Sequence, residues 1–160
     1  MGWWRELLHA GGTGGLNWHM HAYNALERWQ PTLSLIDGFL AQVQPDTKHL
    51  VLIGGSAGWM MPHRWLQQFE TIDAYDIDPI ASWLFDWRHG RALRKTDGVV
   101  RHHRLDALLH LPEVLQQHPR AFVWFDNVLG QHRYRIRDEE RVERELGALK
   151  NSLQGRSWGS

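Results

Sequence analysis

The segment His49–Ile53 is the feature that most constrains the fold of this 160-residue chain. It reads His-Leu-Val-Leu-Ile and is followed at once by Gly54 and Gly55. A short, continuous apolar run that ends in glycine is typical of a strand buried on both faces, as in a parallel sheet. The sequence therefore predicts that a parallel sheet forms the centre of the domain.

Helical and strand-like segments alternate after this first strand. The further predicted strands are residues 71–75, 99–104 and 121–125. The predicted helices are a short one after Pro62, one from Pro79 to about residue 95 that a break at Gly90 could divide, one over 112–118 and one over 135–153. Alternation of this kind indicates right-handed βαβ units. We therefore expect an α/β fold, a Rossmann-like three-layer sandwich with a mainly parallel sheet of about four strands.

The sequence before the first strand has a different, helical character. Residues 3–9, residues 18–29 and a segment that begins at Pro31 have helical spacing, and a glycine-rich loop covers residues 11–15. The predicted division is an N-terminal helical segment over residues 1–46 and a cofactor-binding domain over residues 47–160. The glycine-rich loop is either a lid over the cofactor or an ordinary linker.

Composition excludes several classes of function. Eighteen acidic and eighteen basic residues give a formal net charge of zero, so there is no basic excess for nucleic acid or an anionic membrane. Cysteine is absent, which removes disulfides and thiolate sites. No apolar run reaches membrane-helix length, so we expect a soluble, cytoplasmic protein.

The eleven histidines do not predict a metal site. His19 and His21 are two residues apart, and His102 and His103 are adjacent. Neither pair has the spacing that places two ligands on one helix face. The sequence therefore favours structural or surface histidines.

Polar or glycine-rich residues follow all four predicted strands. In an open parallel sheet, ligands bind outside the carboxyl ends of the strands. The first of these sites is the turn that contains Gly54, Gly55, Ser56 and Gly58, where small residues let the backbone approach a ligand closely. A plain tight turn is an equally good interpretation of this sequence taken alone.

Acidic residues follow the other three strands. Asp76 lies 18 residues after Gly58, close to the spacing of a ribose-binding acid, whereas Asp78 suits the cap of the next helix. Asp106 follows the third strand, and Asp126 with Asn127 follows the fourth. A solvated loop aspartate and an Asp-Asn turn are the competing interpretations of these last two sites.

These residues resemble the class I S-adenosylmethionine-dependent methyltransferases over about residues 49–131. Gly54 and Gly58 match the outer glycines of the family's first motif, while Leu52 replaces its acid and Ser56 its middle glycine. The sequence also resembles a bacterial group of methyltransferase-like proteins without an assigned reaction. Segments 18–21, 54–62 and 126–131 carry that similarity.

The resemblance implies S-adenosylmethionine as cofactor and methyl transfer as reaction, and it leaves the acceptor and the oligomeric state open. The implied positions are the glycine turn at the amino-acid end, Asp76 and Ile77 at the ribose, Asp106 and Ala107 at the adenine, and Asp126 and Asn127 as catalytic residues at the methyl end. Complete family members continue through further strands, so we interpret the chain as a fragment.

Three alternatives remain open. The chain is similar to the aminopropyltransferases, which bind a decarboxylated form of the same cofactor, through residues 53–55 and 76–79. A non-catalytic Rossmann-like interaction module is favoured by Leu52 and Ser56. An α/β hydrolase is the most distant alternative: residues 54–58 fit Gly-x-Ser-x-Gly, but Asp126 and His132 are too close in sequence to complete a triad.

Overall fold

The computed structural model describes residues 15–126, 128–129 and 139–160. Strands and helices alternate through most of this part of the chain. In chain order they are α1 (Leu16–Leu40), β1 (His49–Ile53), α2 (His63–Leu66), β2 (Thr71–Tyr75), α3 (Ala81–Arg94), β3 (Val99–His103), α4 (Leu111–Gln117), β4 (Phe122–Phe125), α5 (Glu139–Ser152) and β5 (Trp158–Gly159). The predicted helix at residues 3–9 and most of the glycine-rich loop lie outside the described residues.

The strands form one five-stranded sheet in the order β3-β2-β1-β4-β5, and every pair is parallel. The α/β, Rossmann-like prediction is confirmed. The fifth strand was not predicted, because two residues are too few to show a pattern. It pairs with β4, where Trp158 lies opposite Val123.

Strand β1 is buried on both faces from Leu50 to Ile53, which is why these four residues are all apolar. Leu50 and Leu52 point into a core formed with α1, α2 and α3. Val51 and Ile53 point into a second core, formed with α4 and with Leu153 at the end of α5. Helices therefore cover both faces, as a three-layer sandwich requires.

Helix α1 differs from the prediction of two helices that meet at Pro31. It is one helix of 25 residues with Pro31 inside it. Proline removes one backbone donor and crowds the preceding turn, but packing holds α1 on both sides of this position. Before it, Ala22 packs in a cluster with Ala57 and Trp59, and after it, Leu40 packs in the core under the sheet.

Smaller differences concern helix α3. It begins at Ala81, two residues later than predicted, and continues without a break through the buried Gly90. The observed bounds of β3, β4 and α4 differ from the predicted bounds by one residue.

In the part of the chain that the structure describes, no helix combines the length and apolarity needed to cross a membrane.

Candidate functional site

The strand order places one reversal of direction in the sheet, between β1 and β4. Ligands of open parallel sheets bind in the crevice that forms at such a reversal, outside the carboxyl ends of the strands. The turn after β1 and Asp126 after β4 border this crevice. The described residues at this edge of the sheet therefore form the candidate site.

The turn after β1 uses glycine for reasons internal to the protein. Gly54 has a φ of 70°, and a Cβ atom there would lie 2.9 Å from Cβ of Val128. Gly58 has a φ of 65°, and a Cβ atom there would lie 2.5 Å from Nε2 of His89. The Gly58 amide also donates to the Gly55 carbonyl oxygen at 2.7 Å. Both glycines are thus required by backbone conformation and packing.

Ser56 occupies the centre of this turn in a left-handed conformation, with a φ of 48°. Its amide donates to Oδ2 of Asp76 at 2.8 Å. Its hydroxyl oxygen is buried and has no hydrogen-bond partner among the described residues. A buried hydroxyl in this condition is uncommon in proteins, and it gives the hydrolase alternative no base within the described part of the chain. His132, the histidine considered for that alternative, lies outside it.

Asp76 links the ends of β1 and β2. One carboxylate oxygen accepts the Ser56 amide, and the other accepts the amide of Asp78 at 2.8 Å. Burial raises the pKa of Asp76, and the negative charge of Asp78 adds to this effect against the two backbone hydrogen bonds. The predicted ribose ligand and the predicted glycine turn are therefore in direct contact.

Asp126 follows β4, on the other side of β1 from Asp76. Its amide donates to the carbonyl oxygen of Ile53 at 2.9 Å, which continues the β1–β4 ladder. Burial, together with the negative charge of Asp76, raises the pKa of Asp126 to about 7. The two carboxyl groups thus repel each other at the crevice. Asn127, predicted beside Asp126, lies outside the described residues.

Asp78 was predicted to cap the next helix, but the N-cap residue of α3 is Ile80, so Asp78 lies before the cap position. Its Oδ1 accepts the amide of Ile80 at 3.0 Å, near the start of α3. Its Oδ2 accepts the amide of Gly15 at 2.7 Å and lies 2.8 Å from Nε2 of His19. The indole of Trp59 donates to Nδ1 of His19, so Nε2 carries the proton that His19 donates to Asp78. Asp78 therefore fixes the start of α1 beside the candidate site.

The remaining predicted residues have local roles. Asp106 accepts the amide of Leu108 at 3.2 Å through Oδ1, and Ala107 packs in the core beneath β1 and β4. Ile77 is half-buried between Asp76 and Asp78. None of these three lines the cleft described next.

A cleft of about 130 Å³ opens at the carboxyl ends of β1, β2 and β3. Its lining combines residues that the sequence predicts with others that it does not. The predicted residues are Gly55, Ser56 and Asp76, and the unpredicted residues include Pro79, Ser82, His102, His103 and Arg104. His102 and His103 end β3 and Arg104 follows it, so the rule that ligands bind at strand ends was the signal that could have identified them.

Comparisons with protein-family models, with curated proteins and with solved structures found no match for this chain.

Proposed function

We propose that this protein binds S-adenosylmethionine, or a close adenosyl relative, at the cleft beside Asp76 and transfers its methyl group. The observation that carries the proposal is the Asp76 carboxylate, held by the amides of Ser56 and Asp78 at the end of β2. This is the position at which Rossmann-like folds bind the ribose of a nucleotide.

The Asp76 carboxylate retains capacity for a ligand. An ionised carboxylate offers about four acceptor positions, and the two backbone amides use two of them. Neighbouring ribose hydroxyls are donors that fit the remaining positions. The raised pKa of Asp76 supports this role, because a desolvated carboxylate gains from each added donor.

Ser56 supports a polar ligand at the turn after β1. Its buried hydroxyl is without a partner among the described residues and lies in a turn that also lines the cleft. Leaving such a group unsatisfied costs about 1–3 kcal/mol. A bound amino-acid group that hydrogen-bonds this hydroxyl would remove that penalty, so Ser56 fits the amino-acid end of the cofactor.

In this proposal, Asp126 accepts the proton that the methyl acceptor loses. A carboxyl group with a pKa of about 7 changes protonation state near neutral pH, which suits a group that removes a proton from an acceptor. When bound, the cofactor supplies an electrophilic methyl group. The residues of the chain hold the reactants together, and positioning provides much of the rate in such transfers.

A non-catalytic module is the second candidate, and the packing of the glycine turn favours it. Gly54 and Gly58 are needed to avoid Val128 and His89, so they require no ligand to explain them. The cleft of about 130 Å³ is also smaller than the roughly 300–1,000 Å³ of most small-molecule sites. Binding of a whole cofactor would therefore widen the cleft.

Calorimetric titration with S-adenosylhomocysteine separates the two candidates. The methyltransferase proposal predicts one saturable site, with affinity reduced at least tenfold in Asp76→Ala. Asp46→Ala, which changes an exposed acid before β1, is the matched control and should bind as the unmodified chain does. Adenosine as a second ligand tests whether the nucleoside alone is recognised.

Absence of binding to the folded protein would overturn the cofactor proposal and favour the non-catalytic module. Equal affinity of Asp76→Ala and the unmodified chain would overturn the assignment of the ribose site. Because Asp76 also holds the turn after β1, the fold of each variant is checked by circular dichroism before titration.

A further inference from the structure

A buried carboxylate on the second face of the sheet is surrounded by histidines. The side chain of Asp73, in the middle of β2, is 1% exposed. Its Oδ2 lies 2.7 Å from Nε2 of His49, and its Oδ1 lies 2.7 Å from Nε2 of His103. A third histidine, His118, has Nδ1 3.7 Å from Oδ2. We refer to these four residues as the Asp73 cluster.

We propose that His49, Asp73 and His118 bind a divalent transition-metal ion of the zinc class. One ligand atom from each of the three residues lies within 4.8 Å of the others, and the contacts of Asp73 indicate Nε2 of His49, Oδ2 of Asp73 and Nδ1 of His118 as these atoms. Two imidazoles with one carboxylate form a ligand set typical of Zn²⁺ sites that keep a position open. This site does not depend on the proposed methyl transfer.

The spacing of the donor atoms is close to what a metal requires. Ligands about 2.0–2.1 Å from a tetrahedral ion stand about 3.3 Å apart. The His49–Asp73 separation of 2.7 Å would widen and the His118–Asp73 separation of 3.7 Å would shorten, each by less than an ångström. Small side-chain rotations therefore suffice for these two pairs of donor atoms.

The three ligands come from well-held parts of the fold. His49 begins β1, and Asp73 lies in β2, which pairs with β1 along its length. His118 follows α4, where its amide donates to Val114 and its carbonyl oxygen accepts from the Ala121 amide. Rigid placement of donor atoms reduces the entropy lost when an ion binds.

Two outer contacts fit a metal site. The Tyr75 hydroxyl lies 2.8 Å from Nε2 of His118, the ring nitrogen opposite the proposed ligand atom. Nε2 of His103 hydrogen-bonds Oδ1 of Asp73, the carboxylate oxygen that would not bind the metal. Partners of this kind orient metal ligands, and losing one typically weakens metal affinity about 10–100-fold.

One positive group opposes the ion. A guanidinium nitrogen of Arg101 lies 3.6 Å from Oδ2 of Asp73, but this side chain is 59% exposed and can turn towards solvent. Imidazole ligands also select the ion, because Mg²⁺ and Ca²⁺ prefer oxygen donors. The expected ligand is thus a divalent transition-metal ion such as Zn²⁺, for which Co²⁺ serves as the spectroscopic probe.

Titration with Co²⁺, followed by its visible absorption, tests the site directly. The full chain should bind one Co²⁺ with bands in the visible range, and Zn²⁺ should displace it. His49→Gln, which changes a ligand at the solvent edge of the cluster, should weaken binding at least tenfold. His21→Gln changes an exposed histidine on α1 and should leave affinity and spectrum unaltered.

Two further variants keep the test decisive if replacement of Asp73 prevents folding. Tyr75→Phe retains the buried ring and should weaken Co²⁺ binding about 10–100-fold, whereas Arg101→Gln should strengthen it. The proposal is overturned if the folded protein gives no visible band. It is also overturned if His49→Gln binds as tightly as the unmodified chain, since the ion would then use scattered surface histidines.

Discussion

His89 donates its Nε2–H to the carbonyl oxygen of Gly58, 3.0 Å away, and so joins helix α3 to the turn after β1. The imidazole is fully buried, and its Nδ1 lies 2.8 Å from Nδ1 of His63. A carbonyl oxygen only accepts hydrogen bonds, so Nε2 carries the proton of a neutral ring. The turn at the candidate site is therefore positioned by a histidine as well as by glycine.

Gly58→Ala should destabilise the fold strongly. The new methyl group would lie 2.5 Å from Nε2 of His89, in a backbone conformation with a φ of 65°. Left-handed backbone and overpacking together cost on the order of 3 kcal/mol for alanine. Urea denaturation at neutral pH measures the change in the free energy of unfolding.

Gly147→Ala is the matched control, because this glycine lies in α5 with nothing within 4 Å of an added Cβ atom. Removing a glycine from a helix interior should stabilise the protein by about 0.5–1 kcal/mol. Similar stability of Gly58→Ala and the unmodified chain would show that the turn does not pack against His89 as described.

His89 should make stability fall as the pH falls. Burial lowers the pKa of His89 from 6.5 to about 3, so the folded chain leaves it neutral where the unfolded chain protonates it. Unfolding then takes up a proton, and His89 lowers the free energy of unfolding by about 1.4 kcal/mol per pH unit between about 6.5 and 3. Its contribution is complete above pH 6.5.

The variant His89→Gln isolates this effect. Its stability is compared with that of the unmodified chain by urea denaturation at about pH 7.5 and about pH 5. The advantage of the unmodified chain should shrink by about 2 kcal/mol at the lower pH. An advantage that is equal at both values would mean that His89 titrates normally in the folded state.

Asp126, in contrast to His89, should make stability fall as the pH rises. Burial and the charge of Asp76 raise its pKa to about 7, so the folded chain retains a proton that the unfolded chain loses above about pH 4. The contribution of Asp126 to stability is complete below pH 4 and is lost as the pH rises to about 7. Asp126→Asn should therefore gain about 3 kcal/mol relative to the unmodified chain between about pH 5 and 7.5.

The two effects nearly cancel in the unmodified chain between about pH 4 and 6.5, because the windows overlap with opposite sign. His89→Gln and Asp126→Asn should consequently tilt the stability profile in opposite directions over this range. Parallel profiles for Asp126→Asn and the unmodified chain would place the pKa of Asp126 in its ordinary range.

The sheet was largely predictable from the sequence, because its central strands carry the signal in consecutive residues. The bounds predicted for β1 and β2 agree with the structure, since β1 is an apolar run that ends in glycine, and β2 is followed by Asp76 and then by Pro79, a residue typical of a helix start. The continuity of α1 through Pro31 was not predictable, because tertiary packing on both sides of the proline maintains it.

The residues of the candidate site that follow strand ends were predictable from the sequence. The contacts that depend on tertiary packing were not. The contact between Ser56 and Asp76 follows from the positions of β1 and β2 in a parallel sheet. Asp106 accepts the Leu108 amide and Ala107 packs in the second core, contacts that their place after β3 does not show, and their predicted contact with the adenine stays a prediction. The Asp73 cluster joins residues up to 69 positions apart, so no local spacing could indicate it.

Ser56→Ala should separate ligand binding from stability. The buried hydroxyl has no partner among the described residues, so its removal should leave the free energy of unfolding unchanged or raise it by about 1 kcal/mol. If the hydroxyl binds the amino-acid end of the cofactor, the affinity for S-adenosylhomocysteine should fall about two- to tenfold, the value of one hydrogen bond. Calorimetry and urea denaturation measure the two quantities on the same samples.

Ser34→Ala, at an exposed position of α1, controls for loss of a serine hydroxyl elsewhere and should not change the affinity. A Ser56→Ala protein that loses more than about 1 kcal/mol of stability would show that the hydroxyl is already bonded within the fold. If the affinity stays the same while stability is retained, Ser56 does not contact the ligand. The cofactor would then depend on Asp76 alone at this edge of the sheet, and the unpaired hydroxyl would be a feature of the turn itself.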